Sequence, residues 1–71
     1  MEYTIKFSWD EEACVWIATS EDIHGLVLES GSFDALIEKV RYALPELLEL
    51  NHEAKEKKIH FLTEREMEVY A

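Results

Sequence analysis

One cysteine, one proline and two glycines are spread over 71 residues, and each scarcity excludes something. A lone Cys14 cannot form an internal disulfide, which fits a reducing compartment. His24, His52 and His60 lack metal-ligand spacing, and only that one thiol stands ready to join them, so no metal site is expected. With Gly25 and Gly31 as the only glycines, there is no phosphate-cradling loop and no nucleophile elbow. Apolar runs last a few residues, far short of the ~20 that span a bilayer. Met1 leads straight into strand-like alternation, without a basic n-region or an apolar h-region, so no secretory signal is expected and the cytoplasm is the expected location. Basic groups are also few: seven against sixteen carboxylates, a formal charge of −9. Such a chain repels phosphate backbones, and no Lys/Arg stripe offsets this locally, so direct nucleic-acid binding is not expected.

The chain has the length of one domain, residues 1–71. At this size folding buries only about three-fifths of the extended chain's surface, which leaves a lone copy marginal. With neither a disulfide framework nor a metal site, self-association is the expected remedy.

What is present is patterned. Tyr3, Ile5, Phe7 and Trp9 alternate with Thr4, Lys6 and Ser8, a period of two that predicts a strand with one buried face. Asp10 to Ala13 is a polar turn, and Cys14 to Thr19 a second strand, forming a hairpin. That second strand is apolar on both sides, with Val15 and Ile17 on one and Cys14, Trp16 and Ala18 on the other. A loop from Ser20 ends at Gly25, a glycine suited to positive φ, before a short strand Leu26–Leu28. Ser30-Gly31-Ser32 breaks the strand, and Ser32 is placed as an N-cap with Asp34 in the first helical turn.

From Phe33 to about Leu50 an amphipathic helix is predicted. Phe33, Leu36, Ile37, Val40, Ala43, Leu44, Leu47, Leu48 and Leu50 share one stripe, and Asp34, Glu38, Arg41, Glu46 and Glu49 lie off it. Pro45 removes the hydrogen bond to the Arg41 carbonyl, but it falls on the outer face, where water can take that carbonyl. The expectation is therefore one bent helix, packed across the sheet. A polar connector, 51–58, follows, with Glu53, Lys55, Glu56 and Lys57 still compatible with helix. The next strand begins at Lys58 with Ile59 and Phe61 on one side. Thr63-Glu64-Arg65-Glu66 matches a capping box, yet Met67 and Val69 continue the alternation, and an extended edge strand is the favoured reading. The fold class is α+β: a three-stranded antiparallel meander, one long helix on the sheet, and a C-terminal strand.

No residue pattern points to catalysis. Asp10, Glu11 and Glu12 share a hairpin turn, and Glu64, Glu66 and Glu68 one face of the tail; both groups look solvated, not buried against a pKa-shifting neighbour. The expectation is a binding module, not an enzyme, with no cofactor. Two surfaces are candidates for contact. Tyr42 stands on the outer side of the helix among Glu38, Glu46 and Glu49, where it could anchor a basic partner. Cys14, Trp16 and Ala18 line the second sheet face if the helix covers Val15 and Ile17. There they form either a cluster under the C-terminal segment or a subunit interface.

The tract from Trp16 through Asp22-Ile23-His24-Gly25-Leu26, followed by Glu29-Ser30-Gly31-Ser32-Phe33-Asp34-Ala35-Leu36, resembles the N-terminal domain of HicB-like antitoxins. Those domains carry an aromatic-x-Ala stretch, an Asp-Leu-Pro-Gly-like loop, a Gly-x-Ser/Thr turn and a helix opening with acidic residues. The tract Arg41 to Asn51 looks like a short single-domain branch of that group, mostly of unknown function. The resemblance implies a partial ribonuclease-H-like fold lacking the nuclease site, since Thr4, Lys6 and Ser8 stand where a metal-binding carboxylate would be needed. It also implies a small basic HicA-type endoribonuclease as partner. His24 replaces the usual loop proline, and no DNA-binding segment follows Ala71, so operator binding is not expected.

Overall fold

The structure, a computed structural model, describes residues 2–50 and 58–69, with the backbone alone at Leu50. Of the connector expected over 51–58, residues 51–57, with His52, Glu53, Lys55, Glu56 and Lys57, lie outside the described residues, and Lys58 already belongs to the next strand. The chain runs β1 (Glu2–Asp10), β2 (Val15–Thr19), β3 (Val27–Ser30), α1 (Phe33–Leu50) and β4 (Lys58–Glu64). The four strands form one sheet in the order β3-β2-β1-β4. β1, β2 and β3 are successive antiparallel neighbours, and β4 joins the far side of β1 in parallel, so the sheet is mixed. The parallel pairing follows from the connection: α1 carries the chain back along the sheet, so the strand after it runs in the direction of β3 and hence of β1.

The period-2 row of β1 does what its pattern implies. Tyr3, Ile5 and Phe7 are buried, while Thr4 and Lys6 between them are exposed. Above this row Leu36 and Val40 of α1 are fully buried, and Phe33, Ile37, Leu44, Leu47 and Leu48 pack around them. Phe7 is the hub: its ring lies 5.3 Å from that of Phe33 and 5.2 Å from that of Phe61. Pro45 is exposed within an unbroken 18-residue helix, as its place on the outer face requires. Ser32 caps that helix: its Oγ accepts from the Ala35 N–H (3.2 Å) and its carbonyl accepts from Leu36 (3.0 Å).

β2 has the opposite orientation to the one expected above. The hairpin loop is residues 11–14, and Trp9 pairs with Trp16 and Phe7 with Ala18. Paired residues share a face, so Trp16 and Ala18 point under α1, and Val15 and Ile17 look out on the open side. An even number of loop residues forces this parity. Cys14 belongs to the turn, not to the strand. It is exposed, with φ at +55°, in the left-handed region that L residues other than Gly and Asn rarely occupy. Asp10 Oδ1 shapes the same turn by accepting from the N–H groups of Glu12 (3.1 Å) and Ala13 (3.2 Å).

The β2–β3 loop is tied to β1 at the point where β2 runs out. Pairing with β2 stops at Lys6, and Ser20 and Asp22 then supply what the absent strand would. Ser20 Oγ donates to the Thr4 carbonyl (2.7 Å), and Asp22 Oδ2 accepts from the Thr4 N–H (2.9 Å). The same Ser20 Oγ accepts from the N–H groups of Asp22 and Ile23. Held this way, the loop drops Ile23 and Leu26 into the core, each almost fully buried. Gly25 turns the chain between them at φ +90°, as the sequence leads one to expect. On the tail, β4 continues through Thr63 and Glu64; residues 65–69 are exposed and form neither helix nor strand, so the strand reading holds only as far as Glu64.

Two stability outcomes follow from these contacts. Ser20→Ala strips one hydroxyl from three backbone partners and should cost about 1–2 kcal/mol, read by urea unfolding. At position 14 glycine relieves the left-handed strain and valine worsens it, so Cys14→Gly should exceed Cys14→Val in stability by about 1–2 kcal/mol. Equal stabilities for the two variants would mean that the turn does not hold its left-handed residue in solution.

Candidate functional site

The outer face of α1 gathers exposed carboxylates around a tyrosine. Tyr42 is 79% exposed. Glu38 lies one turn before it, Glu46 one turn after and Glu49 two turns after, all exposed and on the same side. The nearest cation, Arg41, is engaged with Glu38 at 3.8 Å (Nη1 to Oε1). From Tyr42 to Leu50 there is no basic residue, and none stands in the last turn. Among the described residues of the helix, then, no cation of the last turn offsets the partial negative charge of its C-terminal end, which adds to the carboxylates. The sequence placed these four residues together, and the structure does the same.

Cys14, Trp16 and Ala18 are not brought together on the open face. Ala18 is fully buried beneath α1, and Trp16 packs edge-on against Phe33 at 5.0 Å between ring centres. Cys14 stands apart in the hairpin turn, its Sγ directed at the Glu11 carbonyl (3.6 Å). The open face carries Val15, Ile17 and Val27 instead, mixed with Thr4, Lys6, Ser8, Glu29, His60, Leu62 and Glu64. It is crossed by the pairs Lys6–Glu64 (3.0 Å) and His60–Glu2 (3.2 Å). Such a mixture is what one solvated side of a sheet tolerates.

A feature the sequence reading missed lies at the hairpin end. Trp9 and Trp16 meet at 5.4 Å, and the Arg65 guanidinium sits 4.2 Å above the Trp9 ring and 5.7 Å from that of Trp16. The Trp9 indole N–H donates to Glu11 Oε2 (2.6 Å). Cation–π contact fastens the start of the C-terminal segment to the end of β1. An open groove runs alongside, lined by Trp9, Glu11, Arg65 and Glu68 among others. The signal available in the sequence was the parity of the even hairpin loop, which puts the two tryptophans on one face.

Among the described residues no polar or charged side chain is buried, and no three His, Cys, Asp or Glu residues converge as metal ligands would. No helix among them is long and apolar enough to cross a membrane. These surfaces offer contact: exposed carboxylates, an exposed tyrosine and two indoles in edge contact.

A solved structure resembles this architecture over its whole length. The crystal structure of hypothetical protein TTHA1013, from the extremely thermophilic bacterium Thermus thermophilus, is 32% identical in sequence. It superposes with a TM-score of 0.76, covering 100% of each chain. No curated protein matches the chain. The family model described as domain of unknown function DUF1902 matches residues 2–71, and the chain belongs to that family.

Proposed function

We propose that this chain is a cytoplasmic protein-binding module that acts by occupying a small basic partner, without chemistry of its own, in the manner of a HicB-like antitoxin domain blocking a HicA-type endoribonuclease. The observation that carries the reading is the outer face of α1, where exposed Tyr42 stands among Glu38, Glu46 and Glu49 on a chain of net charge −9. An exposed aromatic among carboxylates matches a basic surface: the negative field accelerates encounter and the ring supplies the desolvated anchor. The resemblance to HicB-like domains runs through β2, the Ser20–Gly25 loop, β3 and the Ser32 cap, all of which position that helix. The order β-β-β-α-β with β4 parallel to β1 suits the partial ribonuclease-H-like fold that the resemblance implies. A second reading, a free-standing self-associating domain without a toxin partner, is favoured by the apolar side chains left exposed on β4 and beyond it.

The discriminating experiment is co-expression with a small basic HicA-type protein, taken from the neighbouring open reading frame if that frame encodes one. The two should co-purify, and affinity should fall steeply with added salt. Tyr42→Ala and Glu46→Lys should each weaken the complex about tenfold or more while circular dichroism is unchanged. Failure to co-purify, or indifference to both substitutions, removes the antitoxin reading.

A further inference from the structure

The two edges of this sheet are treated differently. On one side β3 is four residues long, and Lys39 Nζ donates to its Glu29 carbonyl (3.1 Å), which blunts that edge. On the other side β4 is seven residues long, contains no proline, and among the described residues has a strand neighbour only in β1. An edge of this length with no strand beyond it is a template for another strand.

Exposed apolar side chains gather at the same edge. Six large hydrophobic residues are exposed among the described ones, and four of them, Phe61, Leu62, Met67 and Val69, lie on β4 or just after it.

We propose that β4 pairs antiparallel with β4 of a second copy of this chain, joining two sheets into one of eight strands with both helices on the same face. The occupant is argued from charge. Centred on Phe61, the two-fold axis sets Lys58 opposite Glu64 of the second copy, and Glu64 opposite Lys58 of the second copy. In the single chain Lys58 already lies across from Glu2, and Glu64 forms an ion pair with Lys6 at 3.0 Å. Dimerisation therefore extends a line of alternating sign, Lys6, Glu64, then Lys58 and Glu2 of the second copy, and does so twice. On the helix side the same register brings Phe61, 46% exposed and in edge contact with Phe7, against its own counterpart. A strand carrying its own complementary charges about its midpoint fits itself, since a two-fold interface needs a self-complementary patch. Cross-strand pairs of opposite charge stabilise such a ladder, and like charges oppose it.

This surface is distinct from the outer face of α1, so the inference does not rest on the antitoxin reading. The test uses the full chain and its charge variants in sedimentation equilibrium. The native chain should be a dimer at the concentrations used for NMR. Lys58→Glu and Glu64→Lys should each weaken it about ten- to thirtyfold by setting like charges opposite one another at both ends of the interface. The double variant K58E/E64K should recover most of the loss. Mixing the two single variants should give a heterodimer, because each then meets its opposite twice. A native chain that remains monomeric at those concentrations overturns the proposal, and so does a dimer indifferent to both charge reversals. The mixing experiment compares chains whose folds are verified beforehand by circular dichroism, so a folding defect cannot be mistaken for a lost interface.

Discussion

One helix covers one face of a four-stranded sheet, and everything else adjusts to that limit. The row Tyr3, Ile5 and Phe7 chooses the covered face, since its alternation leaves no second option for β1. Once Phe7 is under α1, antiparallel pairing sends Ala18 and Trp16 to the same side, and β3 follows with Leu28. The small side chain of Ala18 beside Phe7 leaves room for Phe33 to lie against the Phe7 ring. Packing, register and helix placement are thus one constraint seen at three points.

The same limit explains where the molecule is left open. α1 lies nearest β2 and β3, while β4 sits at the far side of β1 and keeps Phe61 exposed on the helix side. Among the described residues there is no second helix to lay over that edge. The end of β4 is held by two cations, Lys6 paired with Glu64 and Arg65 placed over the Trp9 ring. The other exposed border, where β2 ends early, is closed by two side chains, Ser20 and Asp22, that bond the Thr4 backbone as a strand would. Carboxylates also stand on surface that the fold does not use, as on the C-terminal half of α1, where Glu46 and Glu49 have no lysine or arginine among the helix residues from Tyr42 to Leu50.

Much of this is legible in advance, and the failures have definite causes. The strand pattern of β1, the Ser32 cap, the glycine at positive φ and the tolerance of Pro45 each follow from local chemistry, and each stands in the fold where the residues place it. The clustering of Tyr42 with Glu38, Glu46 and Glu49 is equally local, because helical periodicity alone fixes it. The orientation of β2 is misread from its composition because both of its faces are apolar, so hydrophobicity carries no sign there. The information lies in the four-residue loop, whose even length sets the parity. The Ser20 and Asp22 bridge to Thr4 is not legible at all, for it joins residues distant in sequence that meet only when β2 ends short of β1.

By itself, then, the sequence determined the elements and the charge: strand, hairpin, capped helix, acidic outer face and marginal size. These depend on periods of two and 3.6 and on residue chemistry within a few positions, which are properties of the chain before it folds. Only the tertiary structure decided that β4 runs parallel beside β1, that Arg65 meets the two tryptophans, and that among the described residues the long strand at the edge has no strand beyond it. Those follow from where a single helix can sit on a twisted sheet, a question of how much surface it covers that no local pattern contains.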